Sequence, residues 1–521
     1  MSSHPDLSVD IVSALRRKAA EHPDRLFAAF EGEPLAFGEL DRLSDAFAAH
    51  LRAEGVGPGD RVAVMLRNSI EAIAVFFGLA KAGAAWVPVN PQQRGPGLAY
   101  LIDHCRPSLV VVEAELGGVV RECGADSDPR LLLRGPEVAG GLAEALAAPR
   151  TFDEPAPAPA PADTLALMYT SGTTGPPKGV VVTHRMLRIA AEGALVASDG
   201  GDGSVYFLWE PLYHVGGAQV LLLPLLRDVR LALVSRFSAS RFWRQAREAG
   251  ATHIHYLGGI LQMLLAQDPA QTDRAHGVRV AWGGGCAAGT FEAVRERFGV
   301  EIRECYGMTE GSSIATATDG NRAGSIGRAL PWFTVTVRDG EDRALPPGER
   351  GEIVIESELP GAIFAEYYRN PDATANALRG GALHTGDLGS LDADGELTFH
   401  GRLTESLRCR GENVSAWEVE HVVVSHPDVE EAAVIGVAAA VGEQDIKLFA
   451  KPRKGASIGP AELSEWLEPR LARYQRPRYI AVVDSFERTP SQRIRKHLLS
   501  AATDDIWDRE RRRGRSGRIE A

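Results

Sequence analysis

The sequence predicts an α/β protein: a large N-terminal domain of parallel α/β sheets, a β-rich subdomain, and a small α+β C-terminal domain. Three observations predict it. Over residues 8–150, and again to about 310, short apolar runs alternate with helical patterns, the rhythm of βαβ units in parallel sheet. From 324 to 400 the runs shorten and are punctuated by Gly and Asp turns. Beyond about 402 a compact helix–strand–strand–helix–strand pattern begins. A chain of 521 residues is also too long for one hydrophobic core. The expected division is 1–401, 402–503, and an arginine-rich tail over 504–521 that reads as a disordered, solvated end.

The elements follow in order. Residues 11–20 carry amphipathic helical spacing, and 37–54 read as a longer helix. Residues 61–66 form a buried strand, 70–82 a helix, 85–89 a strand and 109–112 a further strand. The stretch 154–162, EPAPAPAPA, is a Pro/Ala linker of polyproline character. In the β-rich part, 351–356 and 395–400 read as strands. In the last unit the pattern gives a helix at 419–425, strands at 429–437 and 446–451, a helix at 460–471 and a strand at 479–483. No internal repeat is present.

Composition narrows the function classes. The chain is 44% hydrophobic and 24% charged, as soluble globular proteins are. A net charge of −12 argues against nucleic-acid or acidic-membrane partners. The 5 cysteines are scattered without metal-ligand spacing, which fits a reducing compartment and no zinc site. The N-terminus lacks a signal-peptide apolar region, and the most apolar stretch, 215–226, is short of the roughly 20 residues that span a bilayer. A cytoplasmic location is expected.

Residues 167–184, LMYTSGTTGPPKGVVVTH, carry the first chemical signal. Thr170, Ser171, Gly172, Thr173, Thr174 and Gly175 precede Lys178, between two apolar strands. Glycines let backbone close around an anion, hydroxyls and N–H groups donate, and the lysine supplies a point charge. The expected cargo is a polyphosphate. It is not the common nucleotide loop, because Lys178 is followed by Gly179 and a β-branched run rather than by Ser/Thr opening a helix. Four segments follow in order: WEPLYH at 209–214, YGMTE at 306–310, HTGD at 384–387, then Gly401-Arg402 with RGEN at 410–413.

This ordered set resembles the adenylate-forming superfamily of acyl-CoA synthetases, peptide-synthetase adenylation domains and luciferases, over about residues 10–500. The run FSASRFW at 237–243, with Tyr256-Leu257-Gly258, is most similar to the carnitine/crotonobetaine-CoA ligase branch. The resemblance implies ATP and Mg²⁺ as cofactors, with 170–178 on the β- and γ-phosphates. It implies Tyr306 against adenine, Thr309 on the α-phosphate, Glu310 on the metal, Asp387 on the ribose hydroxyls and Arg402 at the nucleotide beside the domain junction. His214 corresponds to the gate of the acid pocket, Tyr256 to its wall, and Gly283, Gly284 and Gly285 to backbone that approaches the adenylate. Cys286 reads as pocket packing, not a nucleophile. His253 and His255 share one strand face, and the sequence leaves open whether they shape the pocket or are polar core. A mobile C-terminal domain that rotates between two half-reactions is also implied.

The sequence departs from this pattern where relatives carry Thr-Gly-Lys. Here the glycine is Gln492 and the lysine is Arg493, which is bulkier and bidentate; Lys496 stands three residues on. At the hinge, Thr404 replaces the usual Asp or Lys. Three readings stay open: a ligase that activates a small, or aromatic, acid and passes it to the CoA thiol; an ATP-dependent diazotase that activates nitrite and couples it to an aromatic amine; and a catalytically impaired ATP-binding protein. The intact RGEN segment, which lines the thiol tunnel in relatives, favours the first.

Overall fold

The structure is a computed structural model that describes residues 7, 10–136, 138–148, 158–170, 176–257, 260–265, 267–286, 288–320, 322–403, 407–414, 416–439, 443–453, 455–487, 494 and 496–511, apart from the side chains of 262, 288, 289, 401, 402, 413, 417, 418, 421 and 497. Among these residues two large sheets make the N-terminal body. The first runs Leu131–Arg134, Leu109–Glu113, Arg61–Met65, Ala85–Pro88, Thr164–Thr170, Lys178–Thr183. Its pairs are parallel until the last, which closes antiparallel around the phosphate loop. The second sheet has a parallel centre, Glu301–Tyr306, Val280–Gly284, His253–Leu257, Val205–Leu208, Arg230–Leu233, Leu26–Phe30, with antiparallel edges. Strands covered on both faces must be apolar throughout, which is why Leu109–Glu113 is buried at every residue.

The helices between the sheets carry the core. Ile70–Ala82 is buried from Ala72 onward and apolar nearly all round. Ser69 caps it by accepting from the Ala72 N–H at 3.1 Å, and Gly83 ends it in the left-handed region at φ 73°. Its one buried cation, Lys81, sits 2.6 Å from Asp41 and 2.8 Å from Asp45 on the neighbouring helix Phe37–Ala53, so the charge is neutralised where it is desolvated. Phe27, Phe37, Phe47, Phe76 and Phe77 fill the space around it.

The expected β-rich region is a five-stranded antiparallel sheet built on Ala382–Leu391, with Thr334–Arg338, Gly351–Glu356, Leu378–Arg379 and Leu397–Arg402. The C-terminal unit comprises the hairpin Leu407–Cys409/Glu412–Val414 and a four-stranded sheet, Val429–Ala438, Gln444–Pro452, Tyr479–Val482, Trp507–Asp508. Its first helix begins at Ala416 and its second ends at Leu467, each a few residues from the expected bounds.

Described structure continues past residue 503, where the sequence sets the start of the tail. Trp507–Asp508 pairs antiparallel with Tyr479–Val482, and Asp508 is buried against the Arg478 guanidinium at 3.3 Å. Arg478 also meets Asp445 at 2.9 Å and Glu510 at 3.4 Å, and Glu510 meets Arg410 at 2.8 Å. A strand of two residues inside a run of charge has no apolar period to announce it. Residues 154–157 of the Pro/Ala linker lie outside the described residues; at its end, 160–163 form a turn in which Asp163 accepts from the Ala160 N–H at 2.7 Å.

Candidate active site

The carboxyl ends of the two parallel sheets bring the motif residues together, where open α/β sheets present ligand sites. Thr170 ends one strand and Lys178 begins the next, with the Thr170 hydroxyl 3.4 Å from the Lys178 carbonyl. Ser171, Gly172, Thr173, Thr174 and Gly175 lie outside the described residues. Lys178 Nζ stands 4.7 Å over the Tyr367 ring, and the Tyr367 hydroxyl donates to Glu310 Oε1 at 2.7 Å. The segment that carries Tyr367 is pinned on both sides. Tyr368 N–H bonds the Gly179 carbonyl and Phe364 N–H bonds the Glu310 carbonyl, both at 2.8 Å. One tyrosine thus links the lysine expected on the phosphates to the carboxylate expected on the metal. No sequence signal singled it out.

Tyr306, at the end of its strand, donates to Asp387 Oδ2 at 2.8 Å, so the residues expected on adenine and ribose meet. Asp387 is buried and stands opposite Arg402 in the ladder. Thr309 and Glu310 form a single 3₁₀ turn, Thr309–Gly311, with Glu310 3% exposed. The Arg402 side chain, Thr404 and Arg493 lie outside the described positions. Lys496 is 2.5 Å from Glu420 on its own domain, an ion pair that occupies it there.

The glycine-rich turn is built as its sequence demands. Gly283 crosses so close to the neighbouring strand that a Cβ would overlap the Tyr256 carbonyl oxygen. Gly285 takes φ 91°, open to glycine. The N–H groups of Gly285 and Cys286 then donate to Glu304, at 3.1 and 2.6 Å. Burial pushes the Glu304 carboxyl up to about 7, although Tyr256 and these two N–H groups pull the other way. Glu304, two residues before Tyr306, was missed; an acid inside an apolar strand was the available signal. Cys286 is buried with its thiol pushed up to about 12 by burial, so it packs and does not attack. Tyr256 is fully buried on the sheet face away from His253 and His255.

His214, the expected gate residue, precedes the helix Val215–Val220. Its Nε2 is 2.7 Å from Glu412 Oε2, and the Tyr213 hydroxyl donates to Glu412 Oε1 at 3.1 Å. Glu412 belongs to the C-terminal hairpin, so this contact joins the two domains. Burial pushes His214 down, and the Glu412 carboxylate overrides it to a net rise; burial pushes Glu412 up, and His214 with Tyr213 override it to a net fall. The turn residues Arg410 and Gly411 both take positive φ, 55° and 81°, and Gly411 N–H donates to Glu443 at 2.9 Å.

Residues 15–368 match the AMP-binding enzyme family, and residues 418–493 match its C-terminal domain. The chain is an AMP-binding enzyme. It is 34% identical over 476 residues to a crotonobetaine/carnitine–CoA ligase of Salmonella paratyphi B, covering 88% of this chain and 91% of that one. Among solved structures it resembles a double mutant of o-succinylbenzoate CoA synthetase (MenE) from Bacillus subtilis bound with its product analogue OSB-NCoA, at TM-score 0.84 and 26% identity, covering 94% and 98% of the two chains. It also resembles ATP-bound MatB from Rhodopseudomonas palustris, at TM-score 0.69 and 26% identity, again covering 94% and 98%. Among the described residues of this AMP-binding enzyme no helix is long and apolar enough to cross a membrane, and no group of three or more His, Cys, Asp or Glu could hold a metal.

Proposed function

We propose that the chain uses ATP and Mg²⁺ to activate a small acid as its adenylate, releases pyrophosphate, and then transfers the acyl group to the thiol of CoA. The observation that carries the two-step reading is Glu412 of the C-terminal hairpin seated on His214 and Tyr213 at the gate. It supports reading the C-terminal hairpin, expected to line a thiol tunnel, as part of the second step. The whole-chain comparison points the same way. At equal identity and coverage, the chain superposes better on the product-analogue complex of MenE than on ATP-bound MatB, 0.84 against 0.69.

In the first step an acid oxygen attacks the α-phosphorus and the bond to pyrophosphate breaks. Lys178 carries charge toward the departing phosphates, Thr309 stands at the α-phosphate, and Tyr306 with Asp387 holds the nucleoside. Glu310 fits Mg²⁺: a single buried carboxylate, steadied by Tyr367, suits an ion that takes most of its ligands from phosphate and water. When bound, the ion neutralises developing phosphate charge. In the second step the thiol sulfur attacks the acyl carbon and AMP leaves. His214 and Glu412 then position the closed gate and exclude water.

A second reading, the ATP-dependent diazotase, rests on Arg493 in place of the family lysine, because nitrite activation and amine coupling need no thioester. One experiment separates the two. Incubate the protein with ATP, Mg²⁺ and either carboxylates plus CoA or nitrite plus an aminoaryl acid, and follow AMP and pyrophosphate. CoA-dependent AMP release with a thioester product is expected. ADP formation would overturn the adenylation mechanism, and a diazo product without CoA would replace the ligase reading.

A further inference from the structure

The strand that carries Asp387 breaks its ladder at that residue. Across the antiparallel pair Gly351–Glu356 and Ala382–Leu391, Glu352 stands opposite Leu388 and Val354 opposite His384. One residue, Ile353, therefore faces three: Thr385, Gly386 and Asp387. A bulge of this kind takes backbone groups out of the ladder and re-aims the side chains on it. Gly386 permits it by taking φ 72°, in the left-handed region. The displaced groups must find other partners, and two side chains supply them. Glu352 Oε1 accepts from the Gly386 N–H at 3.0 Å. Its Oε2 accepts from His384 Nδ1 at 2.9 Å and from the Arg379 guanidinium at 2.8 Å, which fixes the carboxylate from two further directions. The Thr385 hydroxyl donates to the Ile353 carbonyl at 2.7 Å and accepts from the Asp387 N–H at 3.1 Å. Asp387 is thereby delivered, buried, to the Tyr306 hydroxyl at 2.8 Å.

We infer that Glu352 and Thr385 are positioning residues of the nucleotide site: they clamp the bulge in the shape that sets Asp387 beside Tyr306. The inference rests on the reading that Asp387 accepts from the ribose hydroxyls. Neither clamp has to touch the nucleotide; each acts through the backbone on which Asp387 stands. A carboxylate that accepts from two hydroxyls of one ring tolerates little error in direction, because hydrogen bonds weaken steeply off axis. A bulge centred on glycine has many other shapes open to it, and the clamps remove them. What Glu352 supplies to Gly386 is an acceptor at the right place, so an uncharged acceptor of the same length serves there. The carboxylate charge is used on its far side, against Arg379.

The test compares ATP with 2′,3′-dideoxy-ATP, which lacks both hydroxyls. Binding of each to the full chain is measured by calorimetry with Mg²⁺ and no acid. The wild-type protein favours ATP by about 100-fold, the worth of two hydrogen bonds to a charged acceptor. Glu352→Met fills the same space without an acceptor, and Thr385→Val removes the hydroxyl; each cuts the preference to about 10-fold or less. Glu352→Gln still accepts from Gly386 and keeps the preference within about threefold of wild type. A merely structural role would weaken both nucleotides together and leave their ratio unchanged. The two disabling variants lie on different strands, so if one fails to fold the other decides. A preference that survives in the variants that fold overturns the inference and leaves the ribose reading standing. Wild-type protein that binds the two nucleotides equally, or neither, overturns the ribose reading and the inference with it.

Discussion

Two glutamates border the candidate site and are pushed in opposite directions. Glu304 lies in the wall of the N-terminal body, 2% exposed, and its oxygens meet only neutral donors: the N–H groups of Gly285 and Cys286, with Tyr256 alongside. Glu412 lies on the C-terminal hairpin with its side chain 12% exposed, and it meets His214, which can carry charge. Desolvation acts on both. It wins at Glu304, which rises to about 7, and loses at Glu412, which falls below its ordinary value. What the difference teaches is that burial alone does not set the ionisation of a carboxylate; a partner able to hold opposite charge reverses the outcome. The N-terminal body therefore has a carboxyl that protonates readily, and the C-terminal domain has one that stays charged.

The strongest way to break the comparison is to remove the partner that wins. Glu412→Ala leaves His214 without its carboxylate. Because the His214 side chain is 39% exposed, the loss belongs at the low end for such pairs, about 2 kcal/mol, or roughly 30-fold in the thioester-forming step. Rapid-quench measurement of acyl transfer from a preformed adenylate checks this, and ATP–pyrophosphate exchange should fall far less. Equal losses in both steps would mean that the contact does not distinguish them.

The wall carboxyl is tested through pH. A carboxyl at 4.5 when unfolded and about 7 when folded binds more protons in the native state across that interval, so stability is greatest below about 4.5 and falls as pH rises to 7. The span is on the order of 3 kcal/mol. Glu304→Gln keeps an acceptor for one of the two N–H groups, which bond different oxygens, and should flatten that slope in denaturant melts taken from about pH 4.5 to 7.5. An unchanged slope would place the titration elsewhere.

In the His214–Glu412 pair only the carboxylate runs the other way. His214, raised, contributes fully below its ordinary value near 6.5 and fades as pH climbs through its elevated value. Glu412, lowered, contributes above 4.5 and fades as pH falls through its depressed value. Docking of the two domains should thus be firmest between about 4.5 and 6.5 and weaken in alkali. Fluorescence transfer between labels on the two domains reads this, and His214→Asn should remove the alkaline limb. The smallest effect is expected from Tyr213→Phe, which deletes one hydrogen bond to Glu412 and should slow acyl transfer by about threefold to tenfold.

Much of this architecture was legible in the sequence because parallel strands covered on both faces write themselves as continuous apolar runs. The helix at 70–82 was read to its last residue, and the ordered motifs located Lys178, Tyr306, Glu310 and Asp387. What escaped notice depends on contacts between distant residues. Glu412 and His214 are 198 positions apart, and Tyr367 and Glu310 are 57 apart. Neither distance leaves a periodic trace. His253 and His255, left open between pocket and core, divide: His253 stacks on Tyr206 with burial pushing it down to about 4, while His255 turns to Glu210 near the gate.

The short strand Trp507–Asp508 makes the chain's length a kinetic variable. Asp508 holds Arg478, Glu510 reaches Arg410, and two positions later the same hairpin presents Glu412 to the gate. A protein trimmed at 503 would keep every motif that identifies it and still lose the buttress behind Glu412. Tags, fusions and truncations at this end alter the support behind Glu412, so activity assays on shortened forms report on that strut as well as on the site.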